Sequence, residues 1–331
     1  MHFRIRPMTR KPNSSNRNSS PDTDLPVLVI GGAAIDVIGR LQGGFISGTS
    51  NPAHIRSSYG GVARNVSENL ARLGQQVTFL TAVGLDYPGD QIIQQCDLAG
   101  IDISHVYRSP SNPSGLYLAV LDEVGKLIFA LDDMRVTAEI SAEYIQSKAT
   151  LFKQASMLFL DTNLPRDAIR KAISLAIRAK IPICADPTSN SLAIKLIPHL
   201  SRLHLITPNN YEAGVLCGRT IEIGKRRQAI SAAKYLIAQG VEIAIVTLAE
   251  QGVCYATSET SGFIPAIRAE IIDPTGAGDA LTATVIYALL HDISLDDALR
   301  LAVSAATLTL NHPGSVVPDL SLEKLYDQLV I

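Results

Sequence analysis

Tryptophan is absent from the 331-residue chain, and 7 phenylalanines and 10 tyrosines make up its aromatic content. So few aromatic faces leave little from which to build a stacking platform for single-stranded nucleic acid. An excess of either charge is missing too. Lys and Arg number 29 against 31 Asp and Glu, for a formal net charge of -2. That balance gives no electrostatic footprint for nucleic acid or for a membrane surface. Cysteine is scarce, and Cys96, Cys184, Cys217 and Cys254 form no C-x-x-C pair. Metal-ligand spacing and a disulfide framework are therefore excluded, and the four read as small apolar residues in a reducing, cytoplasmic compartment. The seven histidines are scattered and do not suggest a metal site. No apolar run approaches the roughly 20 residues that a bilayer span requires.

What is present is an ordinary globular balance, 47% hydrophobic and 18% charged, in a chain long enough for a sizeable core. Residues 1–24 stand apart. They carry five Arg or Lys, no acid before Asp22, and many Ser, Asn and Pro. The expectation is a disordered tail, because such a composition cannot repay the entropy of ordering; a transit peptide is the alternative. The final residues, "QLVI", do not form a peroxisomal address.

From residue 25 to about 325 the chain alternates short apolar strands with amphipathic helices. "PVLVIGGAAID" is a buried strand breaking into a glycine turn, and "GGVARNVSENLARLG" (residues 60–74) has helical spacing closed by Gly74. "ASMLFLD", "IPICADP", "LHLITPN" and "EIAIVTLA" repeat the strand theme, with helices such as 167–179 and 225–239 between them. This pattern predicts an α/β fold: a central, mostly parallel sheet covered by helices on both faces. Two segments break the rhythm, about 37–58 and 115–134, the latter a hairpin around Glu123-Val124-Gly125. They predict a small antiparallel sheet projecting as a lid that excludes water from a ligand.

Ligands of such folds bind beyond the carboxyl ends of the strands. There the sequence places Asp36, Asp86, Asp161 with Asn163, Asp186, Asn209 with Glu212, and Glu250 with Gly252. Any one of them can be a cap or turn residue. Gathered at one edge, they read as a polar binding rim.

"IIDPTGAGDALTAT" (residues 271–284) is the sharpest feature. Gly276, Ala277 and Gly278 have almost no side chains, so successive N–H groups can point at one anion in front of a helix N-terminus. Preorganised donors of this kind stabilise a phosphoryl group in transfer, and Asp279 beside them can take a proton from an attacking hydroxyl. On these grounds alone Asp279 is equally an N-terminal cap.

"DPTGAGDAL" resembles the signature of the PfkB, or ribokinase-like, carbohydrate kinases. "GGVARNVSENLARLG" resembles their N-terminal signature, "TPNNYEAGVL" their N-x-x-E element, and "IVTLAEQGV" their T-x-G-x-x-G turn, in family order from about residue 25 to 320. Within the family, "SNPAHIRSSYGGVARNVSENLARLG" and "ALDDM" are similar to the pseudouridine kinases. The resemblance implies an ATP- and Mg²⁺-dependent phosphotransferase acting on the 5′-hydroxyl of pseudouridine. Another ribokinase-like kinase, for ribose or adenosine, is the alternative; a non-catalytic sensor on the same fold is a further one.

By the same resemblance Asp279 is the base and Gly276, Ala277 and Gly278 form the anion hole. Asp36, Gly60, Gly61 and Asn65 bind the ribose, with Asn51 and Asp133 reading the base from the lid. Asn209, Thr247, Gly252 and Asn311 serve the nucleotide, Glu212 acts on Mg²⁺ through water, and Asp186 either helps at the phosphate channel or serves the turn before Pro187. A monovalent cation such as K⁺ is implied near Asp273, Thr275 and Ser315. A small-molecule substrate, no nucleic acid, no membrane and a homodimer through the lid complete the expectation. Four positions depart from the family pattern: Ala63 and Ala249 for Gly, Pro274 for Thr and Leu281 for Phe. A methyl group at Ala63 or Ala249 is expected to narrow the sugar or nucleotide site, unless the backbone accommodates it.

Overall fold

A computed structural model describes residues 24–222 and 224–329. The tail expected over 1–24 lies, apart from Asp24, outside the described residues. The strands are β1 (Val27–Ile30), β2 (Ala34–Leu41), β3 (Ala53–Gly60), β4 (Val77–Leu80), β5 (Ala82–Gly84), β6 (Tyr107–Ser109) and β7 (Gly115–Leu121). They continue with β8 (Leu127–Asp133), β9 (Met157–Asp161), β10 (Ile183–Asp186), β11 (Leu205–Ile206), β12 (Ile243–Thr247), β13 (Gly252–Ala256) and β14 (Ser261–Pro265).

The main sheet has the order β14-β13-β12-β11-β10-β9-β1-β4. Its pairings are parallel from β4 through β12 and antiparallel at β12–β13 and β13–β14. Strand alternation separates two cores. In β1, Leu28 and Ile30 face the helices Arg166–Ala179 and Arg226–Ala238, while Val27 and Val29 face Val62–Arg72, Ala277–Leu290 and Leu295–Leu310. Burial on both faces explains why these strands read as unbroken apolar runs.

The second sheet has the order β3-β2-β7-β8 and carries the two segments expected as a lid. Its outer pairings are antiparallel, but β2 and β7 run parallel, so the sheet is mixed rather than antiparallel. The chain between β3 and β7 runs through two helices and the strands β4, β5 and β6, a crossover long enough for that direction. A two-residue hairpin could not connect parallel neighbours.

Candidate active site

The helix Ala277–Leu290 starts at Gly276, whose φ of 82° lies in the left-handed region. A side chain there would also run into the Ser315 carbonyl, so the turn admits only glycine. Asp279 is the third helical residue and makes no capping bond; the cap alternative does not hold. The backbone N–H groups at the start of this helix have no intrahelical partners and form a ready anion cradle.

Asp279 is held from the opposite helix. Its Oδ2 accepts Asn65 Nδ2 at 2.7 Å. The Asn65 amide is itself oriented, since its Oδ1 accepts Arg64 Nη1 at 2.8 Å and lies 3.0 Å from Ser315 Oγ. Burial raises the Asp279 carboxyl to about 7, against the lowering effect of the Asn65 bond and with help from Asp36 and Asp161. Asp36, on β2, is likewise raised to about 7 by burial; Arg64 opposes this and Asp273 adds to it. Its carboxylate lies against Gly60, where a Cβ would collide with it.

Asp161 ends β9 and ties two turns together. One oxygen accepts the N–H of Gly32 at 2.8 Å and of Ala63 at 3.1 Å, and the other accepts Asn163 N–H at 2.9 Å. Ala63 is fully buried beside Gly31, so its methyl group does not narrow the sugar site. Ala249 has φ 49°, which explains why glycine is the commoner residue there.

Two cavities flank the Pro274–Asp279 turn. One, of about 700 Å³, is lined by Asn209, Thr247, Gly252, Ala277, Gly278 and Leu281, among others. The other, of about 690 Å³, is lined by Asp36, Gly61, Asn65, Tyr117, Gly276 and Asp279, among others. Pro274 and Asn209 line both, so the turn is a partition with the cradle at the junction.

Three of the expected site residues lie elsewhere. Asn51 spends its amide on the backbone of Ile46 and Thr49 and faces a groove on the outer side of the lid. Asp133 pairs with Arg135, while its neighbour Asp132 lines the second cavity. Asn311 is an exposed residue ending the helix Leu295–Leu310; Thr307 and Leu310 line the first cavity instead. The second cavity also gains Tyr117 and Met134 from the lid. Ser58, Asp36, Tyr117 and Asp132 form one row across the lid sheet. Residues in one row share a face, so this row is the inner wall of the lid.

Glu212 is buried and closes a capping box with Asn209, accepting the Asn209 N–H at 2.9 Å. Burial raises its carboxyl. Asp186 is pushed well above the usual range by burial and by the charges of Glu212, Asp279 and Asp161. Among the described residues no group of three or more ligating side chains forms a cage. Glu212 and Asp186, two mutually repelling carboxylates, would nevertheless suit Mg²⁺, a hard cation that takes oxygen ligands and would neutralise charge there. The K⁺ locus does not fit. Both oxygens of Asp273 are engaged, by the N–H groups of Thr275 and Gly314 and by Arg56, and Ser315 Oγ bonds the Tyr59 carbonyl at 2.6 Å.

A carboxylate held beside an anion cradle, where two cavities meet, suits an enzyme that moves a phosphoryl group onto a hydroxyl. Comparison with known proteins gives the same class. Residues 25–321 match the pfkB family of carbohydrate kinases. Pseudouridine kinase of Escherichia coli K12 is 30% identical over 297 residues, 89% of this chain and 94% of that protein. A carbohydrate kinase from Agrobacterium tumefaciens superposes with a TM-score of 0.78 at 26% identity, covering 92% of this chain and 97% of the other. Ribokinase of Arabidopsis thaliana, solved with ribose and ATP, shares the fold with a TM-score of 0.79 at 21% identity, over 93% and 99%. The chain belongs to the pfkB family and is a sugar or nucleoside kinase, a phosphotransferase with an alcohol group as acceptor.

Proposed function

We propose that this chain uses ATP to phosphorylate the 5′-hydroxyl of pseudouridine, giving pseudouridine 5′-phosphate and ADP. The observation that carries the reading is Asp279, held by Asn65 where the two cavities meet. ATP occupies the first cavity, with its γ-phosphate at the amides of Gly276, Ala277 and Gly278. The nucleoside occupies the second, with its ribose hydroxyls on Asp36 and Asn65. Asp279 takes the proton of the attacking hydroxyl, whose oxygen bonds to the γ-phosphorus as the bond to ADP breaks. Glu212 and Asp186 would hold Mg²⁺, which would supply charge neutralisation.

Pseudouridine rather than a plain sugar is favoured by the likeness to the Escherichia coli enzyme and by the lid row. The uracil of pseudouridine is joined through carbon and keeps an N1–H that uridine lacks. Asp132, beside Tyr117, offers that donor a carboxylate, taking the role expected of Asp133. Ile55, Leu131, Phe45 and Phe129 are exposed on the outer side of the lid, and burying them supports a homodimer through the lid. Sedimentation as a monomer at micromolar concentration would remove that part of the proposal.

An ATP-consumption assay over pseudouridine, uridine, ribose, adenosine and fructose 6-phosphate tests the substrate. The expected outcome is fastest turnover with pseudouridine. Turnover with the hexose phosphate alone would overturn the substrate assignment and leave the family untouched.

A further inference from the structure

Asp273 immediately precedes Pro274 and is completely buried. Its Oδ1 accepts Thr275 N–H at 3.0 Å; its Oδ2 accepts Gly314 N–H at 3.1 Å and lies 2.7 Å from Arg56 Nη1. Burial works to raise this carboxyl, but the bonds from Thr275, Arg56 and Gly314 outweigh it and hold it below the ordinary range. Asp273 is thus an ionised group in the protein interior, and such a charge needs a partner. Among the described residues, Arg56 is the cation in ion-pair contact with it.

Arg56 does not come from the catalytic turn. It lies on β3 of the lid, paired with Ile38, two residues from Ser58 and therefore on the same inner face as the substrate row. One lid side chain reaches the loop whose next residues form the anion cradle. A guanidinium stays charged at any working pH and presents several donors in a fixed plane. K⁺ could reach Asp273 only by displacing it, or by crowding a second positive charge onto the same carboxylate.

We propose that Arg56 is the built-in cation of the catalytic turn, so that phosphoryl transfer by this chain does not depend on added K⁺. This rests on the kinase reading. Arg56 acts as a positioning residue: it neutralises Asp273, keeps the 273–276 turn in register with Gly314 and Ser315, and delivers its charge with the lid in place. Its side chain is 39% exposed, so replacing it removes little packing, and the cost falls on the unpaired Asp273 charge.

Kinetics in choline chloride test the idea, with K⁺ substituted at constant ionic strength. Wild-type kcat is expected to change less than about twofold. Arg56→Gln is expected to lose about tenfold or more without K⁺, an effect of the size seen when a preorganised charge is removed. K⁺ or a few millimolar guanidinium should restore it, and Arg56→Lys should remain indifferent to K⁺. Thermal melting is a second readout that needs no turnover. K⁺ should raise the Tm of Arg56→Gln by about 2 °C or more relative to choline, through binding to the native state, and leave wild type unmoved. Activation or stabilisation of wild type by K⁺ overturns the proposal. So does an Arg56→Gln protein that K⁺ neither reactivates nor stabilises, because a merely structural arginine would behave that way. Absence of turnover on every acceptor would sink the kinase reading, while the melting comparison would still decide the role of Arg56.

Discussion

The two cavities are almost equal in size, about 700 and 690 Å³, but their walls are built differently. The first has an apolar wall of Val253, Ile267, Leu281, Val303 and Ala306, with Thr247, Glu250 and Arg268 among its polar residues. It suits a flat group recognised by shape and burial, with phosphates directed at the cradle. The second relies on side chains that give or take a hydrogen bond at a set angle: Asp36, Asn65, Tyr117, Asp132 and Asn163. Two of the strongly raised carboxyls, Asp36 and Asp279, line the second cavity. Titratable groups are thus concentrated in the second cavity, the arrangement a reaction that must deprotonate a hydroxyl would require there.

The sharpest way to break this comparison is Asp279→Asn. It should lower kcat by about 10²–10⁴-fold, the usual worth of a positioned base, with little change in nucleotide affinity measured by calorimetry. The same variant should melt higher than wild type at pH 8. A carboxyl with a native value of about 7 and an unfolded value of 3.8 binds its proton more tightly when folded, so its contribution to stability falls as pH rises between those values. The advantage should shrink towards pH 4; equal gain at both pH values would mean the carboxylate is not strained.

The pH profile offers the next largest effect. Because the base must be ionised, kcat/KM should fall about tenfold per unit below pH 7. Asp36 titrates in the same range, so the profile should be repeated in Asp36→Asn. An acid limb that survives that change belongs to Asp279. Ala249→Gly should have the smallest effect, on the donor side. Relief of its φ of 49° is expected to stabilise the fold by about 0.5 kcal/mol, partly offset by the freer unfolded chain, with acceptor KM unchanged.

Much of this was legible in the sequence where the signal is local. Gly276, Ala277, Gly278 and Asp279 are consecutive, and the strand-end acids follow from where apolar runs stop. The lid was harder. Asp133 and Asp132 are one residue apart, and in a strand that step exchanges one face for the other. Only the register of β8 on β7 decides which of them lines the second cavity, and no short stretch encodes it. Tyr117 escaped notice for the same reason. Arg56 and Asp273 are far apart in the chain, so their pairing awaited the folded lid. Asn311, expected at the nucleotide by resemblance, is exposed at the end of its helix, while Thr307 and Leu310 face the cavity.

The Asp161 tie has a consequence for how activity arises. Its bond to Gly32 spans 129 residues and its bond to Ala63 spans 98. Both depend on β9 lying beside β1, a pairing with a large loop-closure cost that helix formation does nothing to reduce. The turns that line the second cavity are therefore expected to come together after most helical signal has returned. During refolding, recovery of kinase activity is therefore expected to report closure of the central sheet.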